Sequence, residues 1–115
     1  MKRVALGLGL LALAFGPLAG GAARANDYPT AARADYVFGC MASNGQTQDS
    51  LNRCSCSIDV IASLLPYDRY VEAETVIRMR QVGGEKTAMF RDTALAKKTL
   101  DELKRAQTEA ELRCF

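Results

Sequence analysis

Between Leu51 and Leu65 the apolar side chains recur at three- and four-residue steps, as Leu51, Cys54, Ile58, Ile61 and Leu65. At roughly 100° per residue these positions form one seam along an α-helix. Pro66 stops it, because proline has no amide donor and disfavours a helical residue before it. Just upstream, Gln46-Thr47-Gln48-Asp49-Ser50 supplies side-chain oxygens to cap the first turn. Earlier in the chain, Ala34, Val37, Phe38 and Met41 predict a first helix, entered at Pro29-Thr30 with Thr30 as cap. Asn44-Gly45 closes it, since glycine accepts the left-handed conformation that ends a helix. Asn26-Asp27-Tyr28 reads as a loose start.

Tyr67 to Val82 predicts a third helix, terminated by Gly83-Gly84. Its apolar residues cover a wide arc rather than a stripe, and Tyr70, Val76, Ile77 and Met79 on that arc are candidates for a partner surface. Met89 and Phe90 read as a separate turn. Thr93 then caps a last helix on which Ala96, Leu100, Leu103, Ala110 and Cys114 share a face. Lys97, Lys98, Asp101, Glu102, Lys104, Arg105, Glu109 and Glu111 make its solvated side, with Asp101 and Arg105 a favourable i,i+4 pair. No stretch alternates as a strand would. The expected fold is all-α, a small bundle of about four helices.

The N-terminus changes the domain count. Lys2 and Arg3 precede the uncharged apolar run Val4 to Gly16, and Ala23-Arg24-Ala25 places small residues where a signal peptidase reads. An apolar run of about 13 residues falls short of the roughly 20 that span a bilayer. Residues 1–25 are therefore expected to be a cleaved signal peptide and residues 26–115 a single helical domain, periplasmic or secreted, without a membrane anchor. Cleavage removes Lys2, Arg3 and Arg24 and no acid from a chain with fifteen basic and thirteen acidic residues, so net charge moves from +2 to −1. No basic run points to nucleic acid.

About 90 residues support only a modest core, and exported domains of that size borrow stability from cross-links. Cys40, Cys54, Cys56 and Cys114 are an even set in an oxidising compartment and read as two disulfides. Cys54 and Cys56 are about 200° apart around one helix, so they are not expected to bond each other. Cys40 and Cys114 each take one of them, which staples the second helix to both neighbours. Cys54 and Cys114 both lie on apolar faces, and this favours Cys54–Cys114 with Cys40–Cys56. A thiol redox role for the Cys54-Ser55-Cys56 pair is a rival reading. It lacks the strand-to-helix setting of an oxidoreductase motif. Cu(I) binding by Cys40, Met41, Cys54, Cys56 and Cys114 would need reduced thiols outside the cytosol, and a four-cysteine zinc site lacks the paired C-x₂-C knuckles.

The chain has no histidine, which removes the commonest general base and metal ligand, and no phosphate-binding glycine loop. An enzyme is not expected. Asp68 and Glu72 lie one turn apart, with Glu74 near them and Asp59 on the preceding helix. Such carboxylates are candidate ligands for Ca²⁺ or a lanthanide ion, particularly if a homodimer joins two sets. The simpler role of Asp68 and Glu72 is to solvate a helix start, where the dipole favours acids.

Through Tyr36-Val37-Phe38-Gly39-Cys40-Met41, Asn44-Gly45, Cys54-Ser55-Cys56-Ser57-Ile58-Asp59 and Tyr67-Asp68-Arg69-Tyr70-Val71-Glu72-Ala73-Glu74-Thr75, the chain resembles small exported helical C-x-C proteins. These accompany quinoprotein (PQQ) alcohol-oxidation systems. The resemblance implies work beside such a system, with handling of its Ca²⁺ or lanthanide ion as one role. The leading expectation is a non-enzymatic periplasmic binding or accessory protein with a protein partner or a second copy. Metal handling and thiol redox activity are the alternatives.

Overall fold

A computed structural model describes residues 27–85, 89 and 92–115. The expected signal peptide, residues 1–25, and Phe90 of the expected turn lie outside the described residues. Four long helices carry the fold: α1 (Thr30–Asn44), α2 (Gln48–Leu64), α3 (Tyr67–Gln81) and α4 (Ala94–Cys114). No strand occurs among the described residues.

The helix ends follow local chemistry. Thr47 and Thr93 cap α2 and α4, their hydroxyls accepting from the Ser50 and Ala96 amides at 3.1 Å. Gly45 closes α1 at φ 105°, in the region that disfavours side chains. Thr30 does not cap α1. Pro29 occupies the cap position, and Thr30 is the first helical residue. A proline there needs no amide partner, so the missing side-chain cap leaves one fewer donor to satisfy.

The core lies between α2, α3 and α4. Ile58, Ile61 and Ala62 of α2, with Leu65 just past its end, meet Tyr70 and Ala73 of α3 and Leu103, Ala106 and Ala110 of α4. Tyr28 joins them, only 3% exposed, and its hydroxyl donates to the Leu65 carbonyl at 2.7 Å. The expected loose start is therefore ordered at Tyr28. Its ring packs edge-on to Tyr67 and tilted on Tyr70, with centroids 5.1 and 5.2 Å away. α1 differs from its neighbours in burying no side chain fully. Tyr36 and Val37 rest on the margin of the core.

Two disulfides form, Cys40–Cys54 and Cys56–Cys114. As expected, each joins α2 to a different neighbour, but the favoured pairing of Cys54 with Cys114 is not the one formed. Cys54, fully buried at the centre of the α2 seam, bonds Cys40 of α1, and Cys56, about 200° further round, bonds Cys114 of α4. Beside these bonds Arg33 of α1 pairs with Asp59 at 2.6 Å, and the Arg53 guanidinium lies 5.8 Å from the centre of the Phe115 ring at the end of α4. An apolar face does not by itself specify which neighbour a cysteine on it meets.

Candidate functional site

All four helices contribute to one cleft of about 620 Å³. α1 supplies Asp35, Tyr36 and Gly39, next to Cys40 of the α1–α2 disulfide. Buried Ser57 of α2 lies at its base. α3 adds Tyr70 and Glu74, one turn apart, and α4 adds Gln107 and Glu111. Phe115 completes the lining, directly after the cysteine that ties α4 to α2. Each staple thus holds one wall of the cleft against the helix at its base.

The charges in this cleft share one sign. Asp35, Glu74 and Glu111 line it, and no lysine or arginine does among the described residues. None of the three carboxylates takes part in an ion pair among the described residues. Elsewhere the protein pairs its acids readily. Asp49 holds Arg53, Glu109 holds Arg113, and Arg69 bridges Glu72 on its own helix to Glu102 of α4.

The phenols respond to this setting. Burial raises Tyr70 well above the ordinary tyrosine range, and the carboxylate of Glu74 adds to it, followed by Tyr28, Tyr36 and Asp35. Burial also raises Tyr36, against the neighbouring Ser57 hydroxyl and with a contribution from Glu111. Both phenols therefore stay protonated at ordinary pH. Tyr70 is only 8% exposed, and its hydroxyl has no hydrogen-bond partner among the described residues.

The residues expected to bind metal are not gathered. Asp59 is occupied by Arg33 and Glu72 by Arg69, while Asp68 accepts the Arg69 amide at 2.9 Å at the start of α3. Glu74 alone faces the cleft. Among the described residues no three His, Cys, Asp or Glu side chains come close enough to hold an ion. Ca²⁺, which takes six to eight oxygen ligands, and a lanthanide find no ligand set there.

The expected partner surface on α3 is also redistributed. Tyr70 belongs to the core, Ile77 packs against it, and Val76 and Met79 are half-buried. A broad apolar arc serves a helix that inserts Tyr70 and Ala73 while its flanks brush its neighbours. The more open apolar side chains lie elsewhere, with Phe38 76% exposed on α1 and Leu112 78% exposed on α4. Phe38 borders an apolar groove between α1 and α2, together with Val37, Met41 and Leu51.

All four cysteines are in disulfides, with no free thiol. No protein-family model, curated protein or solved structure matches this chain. The resemblance to small exported C-x-C proteins thus rests on the quoted stretches alone. No described helix is long and apolar enough to cross a membrane.

Proposed function

We propose that the chain is a non-enzymatic binding protein of an oxidising compartment, the periplasm, and that the four-helix cleft is where it receives its ligand. One observation carries this reading. Both disulfides bear on the cleft walls, at Cys40 and beside Phe115, so covalent rigidity is placed around a concavity as well as a core. Rigid walls lower the ordering cost of binding. The two disulfides fit an oxidising compartment. An accessory place beside a quinoprotein system, which the resemblance implies, is compatible with such a role.

The test uses the oxidised protein and a cleft-filling variant. Gly39 lines the cleft, and a side chain added there meets no atom within 4 Å at Cβ, so Gly39→Trp should fill the space without unfolding α1. A panel of small cations, anions and neutral solutes is screened by thermal shift. At least one should raise the midpoint of the wild-type protein and lose that effect in Gly39→Trp. Ligands that act equally on both proteins would remove the cleft from the function, and turnover of a panel member would replace binding with catalysis.

A further inference from the structure

The arrangement of charge in the cleft specifies what kind of ligand it suits. Three carboxylates that form no ion pair among the described residues line one concavity, and no three acidic groups among those residues converge on a point. A compact ion such as Ca²⁺ would leave most of that charge unmet. A cation with its charge spread along a chain would meet it group by group. The rings of Tyr36, Tyr70 and Phe115 line the same cleft. Such surfaces suit methylene segments, and they attract ammonium groups through the negative face of the ring.

Tyr70 provides an independent indication. The Tyr70 side chain is more than nine-tenths buried, yet its hydroxyl has no hydrogen-bond partner among the described residues and is not closed off from solvent. It shares the cleft with Asp35 and Glu74, whose carboxylates lie close enough to act on it. Its oxygen is an acceptor for an N–H entering the cleft, and its O–H remains free to turn to a carboxylate. A ligand carrying N–H donors satisfies both the phenol and the carboxylates.

We infer that the cleft binds an aliphatic organic cation with two or more ammonium groups, held by Asp35, Glu74 and Glu111 and by the Tyr70 hydroxyl. This rests on the binding role proposed above for the same cleft and names its ligand class. Charge-assisted hydrogen bonds to the carboxylates supply the affinity. Because the cleft is open to solvent, the affinity falls as salt rises.

The experiment is calorimetric titration of the oxidised protein with spermidine and with 1,5-diaminopentane, beside n-pentanol, succinate, Ca²⁺ and La³⁺. Both amines should bind with one site, while n-pentanol and succinate give no heat. Glu74→Gln and Asp35→Asn should each weaken the amines about tenfold, the scale of one charge-assisted hydrogen bond. Tyr70→Phe should weaken them several-fold, whereas Glu72→Gln, whose carboxylate serves Arg69 outside the cleft, should not. Circular dichroism of each variant separates lost binding from lost fold.

Amines that fail to saturate at millimolar concentration overturn the ligand class. So does tighter binding of Ca²⁺ or La³⁺ that displaces them. If a neutral or anionic solute binds instead and Gly39→Trp abolishes it, the amine assignment falls while the binding role stands. If no solute of any class binds in a way that Gly39→Trp removes, both fall together.

Discussion

The Tyr28 hydroxyl donates to the Leu65 carbonyl at 2.7 Å, tying the segment ahead of α1 to the residue that caps the end of α2. That carbonyl lies at a helix end, where backbone acceptors lose their partners within the helix. A side chain from 37 positions earlier provides one. The same ring fills the space beside Tyr67 and Tyr70. Tyr28→Phe keeps the ring and leaves the carbonyl unpaired, so it should destabilise the domain by about 1–2 kcal/mol in urea unfolding. Tyr28→Ala also removes a buried aromatic ring and should cost about 3–5 kcal/mol. Equal effects of the two variants would show that the hydroxyl carries the whole contribution.

Alkaline titration should single out the buried phenols. Burial first, then nearby carboxylates, raises Tyr70 above its unfolded value, and burial raises Tyr28 against the opposing charge of Arg33. The folded state therefore holds these protons longer than the unfolded chain does. Their contribution to stability is full below about pH 10, where the unfolded phenols begin to ionise. It is lost as pH rises from there through the folded pKa values. Tyrosinate absorbance should thus show a late-ionising component that coincides with unfolding. Tyr28→Phe and Tyr70→Phe should each reduce it.

The two disulfides should differ in what their removal disturbs. Cys40–Cys54 closes a separation of 14 residues and Cys56–Cys114 one of 58. Loop-closure entropy assigns them about 3 and about 4 kcal/mol. α1 buries no side chain fully, and its Arg33–Asp59 pair is exposed enough to contribute little. Replacing Cys40 and Cys54 by alanine should therefore release α1 selectively, seen as fast amide exchange from Ala31 to Ser43 while the α2 and α4 amides stay protected. Replacing Cys56 and Cys114 should lower the global unfolding free energy instead. Uniform loss of protection in the first variant would show that α1 is integral to the core.

Much of this architecture was legible in the chain because it is periodic. The seam is buried at Cys54, Ile58, Ile61 and Leu65 as its spacing requires, with Leu51 at its start exposed, and Gly45, Pro66 and Thr93 end or start helices as their chemistry dictates. Tyr28 was not legible, since a lone aromatic ahead of a helix has no repeat to place it. The cysteine pairing was half legible: helical geometry separates Cys54 from Cys56, but which neighbour each meets depends on how α1 and α4 settle on the flanks of α2. The cleft left little trace. Asp35, Glu74 and Glu111 come from three helices, and each alone reads as a solvated surface acid. The local clue was Tyr70 followed one turn later by Glu74, an aromatic and an acid on one side of a helix whose apolar arc was already too wide.

Ser50 shows where the fold carries an avoidable cost. It lies in the first turn of α2, is 4% exposed, and its hydroxyl has no hydrogen-bond partner among the described residues. Its amide is already bonded to Thr47. The hydroxyl therefore contributes only its desolvation penalty, whereas alanine has the higher helix propensity and no polar atom to bury. Ser50→Ala should raise stability by about 1 kcal/mol. Thr47→Ala, which removes the cap of the same helix, should lower it by a similar amount. Guanidinium unfolding of the two single variants and the double variant measures both. Opposite signs that add in the double variant would place the effects in separate interactions, and destabilisation by Ser50→Ala would mean that the buried hydroxyl has a partner, such as an ordered water.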